Sequence, residues 1–320
     1  MRRPRKRASC FCGPQNSVSR LVVLESLNTM LRPFVQIDVF TAQALSGNPV
    51  AVVLDANDLP EHTMQRFARW TNLSETTFVL KPTQADASYR VRIFTPMAEL
   101  PFAGHPSVGT AWALIDAGLV KPNAGRLMQE CAAGLLNVQV QGNGDHRVVS
   151  VQAPMAQRSA LSPQIVEALP RALGSTGSLV GARPILSDVG ARWILVEVAN
   201  RAAVRALAPD FEAIAQLSTS ARSEGIAVFS FEPPLSVPLE LRAFAPATGV
   251  AEDPVTGSAH ASVADWLNSQ RRLDSVDGRY RATQGIAVGR AGEVEVSVDK
   301  NQRAHIGGRC CALIRGAVDL

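Results

Sequence analysis

A repeated segment constrains the fold of this chain more than any other feature of its sequence. The segments HPSVGTAWA, starting at His105, and DPVTGSAHA, starting at Asp253, share a proline, a glycine and two alanines at a constant offset of 148 positions. Upstream, Phe94-Thr-Pro96 resembles Phe244-Ala-Pro246 at an offset of 150. A period near half the chain length predicts a duplicated structural unit. The alternative is a chance similarity between two helix starts that are rich in small residues.

The patterns between these motifs predict an α+β fold of two similar lobes. Strand-like segments with period two outnumber helical segments, and an Ala-rich helix follows each motif, at 106–119 and 257–268. This order differs from regular βαβ alternation. We expect lobes at 34–153, completed by a C-terminal strand at 306–320, and at 154–305.

The charge of the chain is concentrated in an N-terminal extension, residues 1–33. The net charge is +4, but residues 1–29 alone hold six basic residues and one acid, so the remainder carries −1. Such a basic segment could contact nucleic acid or membrane lipid. We prefer a disordered, non-functional extension, with Met30 as the natural start, and expect no nucleic-acid or membrane partner.

Several function classes are disfavoured by the absence of their motifs. No Gly-x-Gly-x-x-Gly follows a strand and no P-loop is present, which argues against nucleotide binding. Five cysteines without framework spacing favour reduced thiols and a cytoplasmic location. None of them lies at a repeat motif, which disfavours a two-thiol racemase. The histidines have no metal-site spacing, so we expect no metal.

The repeat motifs suggest how a ligand is bound. Each places a glycine and a hydroxyl residue at an expected helix start, Gly109-Thr110 and Gly257-Ser258. A helix start leaves backbone N–H groups unpaired and carries partial positive charge, so it binds a carboxylate or an enolate-like oxygen. Two such starts facing each other across a cleft would bind a small anionic substrate.

Three residues are candidates for proton transfer. Glu75 stands between a helix and a strand, where desolvation would raise its pKa towards that of a general base, although a solvated loop charge is the commoner case. His105 suits acid or base work near neutral pH, but could be a core histidine satisfied by backbone. Asp253 could be a second acid or base, or could cap the helix that follows it.

Taken together, these motifs resemble the PhzF-like phenazine-biosynthesis family over about residues 34–316. The residues that carry the resemblance are Asp38-Val-Phe-Thr41, Gly47-Asn-Pro-Val-Ala-Val-Val53, Asn72-Leu-Ser-Glu-Thr76, Phe94-Thr-Pro96, Glu99-Leu-Pro-Phe-Ala-Gly-His-Pro106 and Glu252-Asp-Pro-Val-Thr-Gly-Ser-Ala259.

The resemblance implies a diaminopimelate-epimerase-like fold, in which a curved sheet wraps a central helix in each lobe, here the helices near Gly109 and Gly257. It also implies a homodimer and a cofactor-independent isomerase that moves a proton between carbons of a small carboxylate-bearing substrate. The implied catalytic residues are Glu75, His105 and Asp253. The expected substrate-binding residues include those of the two helix starts. They are Ser74, Gly104, Gly109, Thr110, Gly257 and Ser258.

Two alternatives stay open at this point. The first is an amino-acid racemase or epimerase on the same fold. The second is a non-catalytic protein that binds small acids.

Overall fold

The computed structural model describes residues 30–175 and 183–320 of the chain. The six basic residues of positions 1–29 lie outside the described residues, as do Cys10 and Cys12. Strand β1 begins at Leu31, so the N-terminal half starts three residues before the expected boundary at 34. The expected C-terminal strand at 306–320 is in fact the strand Cys310–Asp319, which pairs with β1 over its length.

The described residues form six α-helices, most of them close to the predicted positions. The helices are α1 Glu61–Thr71, α2 Gly104–Asp116, α3 Pro163–Ala172, α4 Arg201–Arg205, α5 Phe211–Ala221 and α6 Gly257–Ser269. Ser162 caps α3, since its hydroxyl accepts a hydrogen bond from the backbone N–H of Ile165.

Eighteen strands, counted over the same residues, form one connected sheet. They are β1 Leu31–Val39, β2 Asn48–Val53, β3 Glu75–Leu80, β4 Tyr89–Phe94, β5 Glu99–Leu100, β6 Arg126–Cys131, β7 Gly134–Gln141, β8 Val148–Gln152, β9 Gln157–Ala160, β10 Ile185–Asp188, β11 Arg192–Glu197, β12 Gly225–Phe231, β13 Leu239–Ala245, β14 Val250–Asp253, β15 Arg279–Gln284, β16 Gly292–Val298, β17 Ala304–Gly308 and β18 Cys310–Asp319.

Strand pairing follows the same scheme in both halves of the chain. In the first half, β1–β2 and β3–β4 are antiparallel, β2–β3 and β4–β6 are parallel, and β6–β7–β8 is an antiparallel meander. In the second half, β10–β11 and β12–β13 are antiparallel, β11–β12 and β13–β15 are parallel, and β15–β16–β17 is a meander. The antiparallel pair β8–β17 joins the halves. The pairing scheme therefore supports the duplicated unit that the repeat predicts.

The two central helices have a different register from the one that the sequence motifs suggest. Helix α2 begins at Gly104, five residues before Gly109, so the expectation of a start near Gly109 is wrong. The first residues of α2 and α6, Gly104 and Gly257, are 153 positions apart, as are their last residues. The match of Gly109 with Gly257 at an offset of 148 therefore does not join equivalent positions of the two helices.

The central helices are buried against the sheet of their own half. Helix α2 packs against β1, β2, β3 and β8, and α6 packs against β11, β16 and β17. Every residue of α2 from His105 to Leu114 is buried, which requires a helix of small and apolar residues on all sides. Helices α1, α3 and α5 instead bury one face each, in two smaller apolar clusters on the outer side of the sheet. Both central helices thus have a fixed direction, and their first residues meet.

Candidate active site

Glu75 is the first residue of β3 and is buried. Helix α1 ends at Thr71, and its C-cap Asn72 has a left-handed conformation (φ 53°) that asparagine tolerates. The turn after it leads directly into the strand. Glu75 pairs in parallel register with Val50 of β2, and its side chain is only 15% exposed. The alternative of a solvated loop charge is therefore excluded.

His105 lies against Glu75. As the second residue of α2 it is 7% exposed, and its Nε2 lies 3.3 Å from Oε2 of Glu75. The imidazole also hydrogen bonds the backbone carbonyl of Pro49. A carbonyl only accepts, so a ring N–H donates to it. The expected hydrogen bond from His105 to the backbone is therefore made by one ring nitrogen, while the other, Nε2, faces the carboxyl group of Glu75.

Both facing atoms lack a hydrogen-bond partner among the residues described. Glu75 Oε2 and His105 Nε2 are buried, and their mutual geometry does not complete a hydrogen bond despite the short distance. Buried polar atoms are normally satisfied, and exceptions concentrate where a ligand or a proton supplies the missing partner. These two atoms are therefore free to engage a third group.

The environment reverses the usual order of the two pKa values. Removal from water, with a smaller contribution from the nearby negative charge of Asp253, raises the pKa of Glu75 to about 8. Burial lowers the pKa of His105 to about 3, against the opposing effect of its hydrogen bond to Pro49. Near neutral pH the proton therefore resides on Glu75, and the imidazole is neutral. A carboxyl group with a pKa close to the working pH can both give and take a proton.

Asp253 approaches this pair from the second half of the chain. It ends β14, and its two carboxylate oxygens accept hydrogen bonds from Asn48 Nδ2 at 3.1 Å and from Thr256 Oγ1 at 2.5 Å. Burial raises the pKa of Asp253, and these two hydrogen bonds act in the opposite direction. The N-cap of α6 is Thr256, so the capping alternative for Asp253 is wrong.

The first turns of α2 and α6 meet beside these groups. A methyl group built on Gly104 would lie 3.7 Å from the Cα atom of Gly257, and one built on Gly257 would lie 3.5 Å from the backbone nitrogen of His105. Neither helix has a side-chain cap at its start. The unpaired N–H groups and the partial positive charge of both helices therefore converge at one place.

Most of the expected substrate-binding residues border this place, but Gly109 and Thr110 do not. Ser74 precedes Glu75 in the chain, and Ser258 follows Gly257 and is half-buried. A side chain at Gly109 would meet Val50 and Val39 at 2.5 and 2.8 Å, and Thr110 Oγ1 hydrogen bonds Thr77 Oγ1 at 2.8 Å inside the core. The reason is the earlier helix start, which moves both residues into the second turn of α2.

The start of β2 organises the site, a role that sequence reasoning missed. Asn48 also donates to the backbone carbonyl of Val255 at 3.0 Å, while Pro49 accepts from His105 and Val50 is the strand neighbour of Glu75. The signal was present in the motif Gly47-Asn48-Pro49, which as a local pattern predicts only a turn. An asparagine and a proline that enter a fully buried strand point to partners elsewhere in the fold.

Gln284 and Trp193 support the second half of the site and were also missed. Gln284 Nε2 donates to Thr256 Oγ1 and to the carbonyl of Asp253, and its Oε1 accepts from the backbone N–H of Thr256, all at 2.9 Å. Trp193 Nε1 donates to Ser258 Oγ at 2.9 Å. Gln284 thus fixes the turn that carries Asp253, and Trp193 contacts the start of α6.

The reacting groups are enclosed. Two cavities of about 230 and 440 Å³ lie elsewhere on the described part of the chain and are lined by other residues, among them Arg242 and His305. The facing atoms Glu75 Oε2 and His105 Nε2 are buried, and the two helix starts lie close together beside them.

No metal centre or membrane span is present in the described ranges. No group of three or more His, Cys, Asp or Glu side chains in residues 30–175 and 183–320 is arranged to hold a metal ion. Over the same residues, no helix combines the length and the apolar character needed to cross a membrane. Cys131 ends β6, and Cys310 and Cys311 begin β18.

Comparison with known proteins gives consistent matches over most of the chain. The sequence model of the family PhzC-PhzF, described as phenazine biosynthesis-like protein, matches residues 37–316. A trans-2,3-dihydro-3-hydroxyanthranilate isomerase of Pseudomonas aeruginosa is 38% identical over 259 residues, which cover 80% of this chain and 87% of that protein. The protein named antisense-enhancing sequence 1 of Schizosaccharomyces pombe is 36% identical, covering 88% and 97% of the two chains. The crystal structure of a PhzF-family phenazine biosynthesis protein of Bacillus anthracis superposes with a TM-score of 0.77 at 25% identity, covering 90% and 99% of the two chains.

Proposed function

The chain belongs to the PhzC-PhzF family, and from this premise we propose that it is a cofactor-independent isomerase that moves a proton between carbons of a small carboxylate-bearing substrate. The observation that carries the proposal is the buried pair of Glu75 and His105, whose facing atoms are 3.3 Å apart and unpaired, with Asp253 beside them. Relatives named trans-2,3-dihydro-3-hydroxyanthranilate isomerase support this reaction class.

In the proposed reaction, Glu75 acts as acid and base in turn. Its ionised carboxylate removes a proton from an activated carbon, the C–H bonding electrons enter the conjugated system of the substrate, and the carboxyl group returns the proton to another carbon of the same system. One group suffices for both transfers because its pKa of about 8 keeps both protonation states accessible.

The neighbouring residues orient the substrate. In this proposal, the neutral imidazole of His105 and the carboxylate of Asp253 contact polar groups of the substrate close to the reacting carbons. The helix starts at Gly104 and Gly257, with Ser74 and Ser258, bind its carboxylate. Closure of the two starts over the substrate excludes water from the reactive intermediate.

Incubation of the protein with trans-2,3-dihydro-3-hydroxyanthranilate in D₂O tests the proposal. We expect proton NMR to record conversion to an isomer, with deuterium at a ring carbon. Deuteration with inversion at a stereocentre would instead indicate a racemase or epimerase. Tight binding without any exchange, for this compound and for a panel of small carboxylic acids, would indicate a non-catalytic binder and contradict the proposal.

A homodimer in the cytoplasm completes the proposed description. Light scattering during size-exclusion chromatography tests the first part. A mass near twice the 34.1 kDa of one chain is expected, and a mass of one chain would contradict it.

A further inference from the structure

The hydrogen bond between Trp193 and Ser258 has a defined direction. The indole N–H is a donor only, so Ser258 Oγ is the acceptor in the 2.9 Å contact. A hydroxyl group that accepts in this way keeps its own proton for another partner. Trp193 lies in β11 and is 4% exposed, so its ring has little freedom to turn away.

Several other serines on the described helices donate their hydroxyl proton to a carbonyl of the same helix or its cap, although the buried hydroxyl of Ser262 does not. The hydroxyl of Ser107 donates to the carbonyl of Ala103, and that of Ser218 donates to the carbonyl of Ile214, each four residues back. Ser258 makes no such bond to any residue in the described ranges, although it is the second residue of α6. Its proton is therefore available at the helix start.

The hydroxyl hydrogen of Ser258 lies where the N-terminal ends of both central helices produce positive electrostatic potential. Ser258 is half-buried next to Gly257, which touches the start of α2, and neither helix start has a side-chain cap. A group bound there meets backbone N–H donors together with the hydroxyl proton. An ionised carboxylate is the common biological group that accepts hydrogen bonds through both oxygens and donates none.

We propose that Trp193 is a positioning residue that fixes Ser258 as a hydrogen-bond donor, so that this corner of the site selects an ionised carboxylate over a neutral amide. The inference rests on the proposed function and narrows it, because it assigns the hydroxyl of Ser258 as one of the donors to the substrate carboxylate. A purely structural role is the competing explanation, since Trp193 also belongs to the apolar core.

A double-mutant cycle separates these explanations. The affinity of anthranilate, a planar aromatic carboxylate, is measured by calorimetry for the wild type, Trp193→Phe, Ser258→Ala and the double variant. Trp193→Phe keeps an aromatic ring, although a smaller one, and removes the N–H. We expect it to weaken binding about 3- to 10-fold, the usual effect of one hydrogen bond, and to have no further effect once Ser258 is alanine. Trp266→Phe, at a buried tryptophan in the same half, is the matched control and should bind like the wild type.

Anthranilamide provides the second comparison. The wild type should bind anthranilamide more weakly than anthranilate, and the affinity for anthranilamide should change little in Trp193→Phe. Three results would overturn the inference: no anthranilate binding by the wild type, an unchanged affinity in Trp193→Phe, or an equal loss in the Ser258→Ala background. Failure of the proposed function is seen separately, as an absence of deuterium exchange in a protein whose binding cycle can still be measured.

Discussion

At the scale of the residue, the account depends on two side chains that are buried in unusual protonation states. An acid with a raised pKa and a histidine with a lowered pKa, 3.3 Å apart, form a neutral pair in which the proton is on the carboxyl group. Burial without neutralising partners is costly for a charged group. The folded chain retains this arrangement, which favours a functional role over a structural one.

The pair makes folding stability depend on pH in a defined window. Between about pH 6.5 and 8, Glu75 keeps its proton in the folded chain and has lost it in the unfolded chain, so stability falls as pH rises, by up to about 1.4 kcal/mol per unit. Below this window His105, neutral when folded and charged when unfolded, contributes the opposite slope and offsets it.

Glu75→Gln should remove the fall in stability. Urea unfolding at pH 6.5 and 8.5 should record a loss of about 2 kcal/mol in the wild type and a much smaller loss in Glu75→Gln. Glu61→Gln, at a carboxylate that is 71% exposed, should behave like the wild type. Equal losses in all three proteins would mean that Glu75 titrates near its ordinary pKa.

The rate of the proposed reaction should depend on the ionisation of Glu75 as well. If Glu75 must be ionised to remove a proton, kcat/KM rises with pH and levels off above an inflection near 8. The charge of Asp253 raises the pKa of Glu75, in addition to the larger effect of burial. Asp253→Asn should therefore move the inflection to lower pH, whatever its effect on the plateau rate. An inflection that stays in place or moves upward would contradict this coupling.

At the scale of the element, the start of a helix decides which residues reach the site. Because α2 begins at Gly104, His105 is placed beside Glu75, while Gly109 faces the buried side chains of Val39 and Val50. The glycine at 109 is thus required by packing between helix and sheet.

Gly109→Ala tests this assignment. The added methyl group would lie 2.5 Å from Val50 Cγ1, so we expect a loss of about 1–3 kcal/mol in the free energy of unfolding, typical of an overfilled core. Ligand affinity of the folded protein should stay unchanged. The additional substitution Val50→Ala should recover part of the stability. A variant of normal stability with weakened ligand binding would instead place Gly109 at the site.

Sequence periodicity predicted the positions of strands and helices more reliably than it predicted which of their residues contact each other. The apolar segments Tyr89–Phe94 and Ile226–Phe231 predict strands that match β4 at its bounds and β12 within one residue, and the Ala-rich segment predicts α6. Strand β15 was missed. Its exposed arginines alternate with buried residues, but the last buried position is the polar Gln284. Gln284 at its end holds Asp253, 31 positions away in sequence. Such a partnership depends on the fold, and no local pattern contains it.

At the scale of the whole molecule, duplication produces the site. Each half supplies one central helix. The two helix starts meet because the halves are joined by the antiparallel pair β8–β17 and repeat one pairing scheme. The sequence predicted two similar units and the residues at their junction. The sequence could not show which residues of the two halves are equivalent, because small residues repeat at several offsets. The observed bounds of the two central helices are needed to choose among these offsets.

Ligand binding should therefore affect both halves together. Hydrogen exchange followed by mass spectrometry should record slower exchange at the first turns of α2 and α6 when anthranilate is bound, because the ligand accepts hydrogen bonds from both and holds the starts together. Helix α3, on the outer side of the sheet, is the internal control and should not change. Protection confined to one of the two helices would exclude a shared site.

The central claim is that the buried carboxyl group of Glu75 carries the proton between substrate carbons. Its most direct test is the rate of deuterium incorporation from D₂O into trans-2,3-dihydro-3-hydroxyanthranilate, compared for the wild type, Glu75→Gln and the surface control Glu61→Gln. The account predicts incorporation by the wild type and the control and a loss of at least about 100-fold in Glu75→Gln, with anthranilate binding retained. Incorporation by a folded Glu75→Gln protein at the rate of the wild type would contradict it.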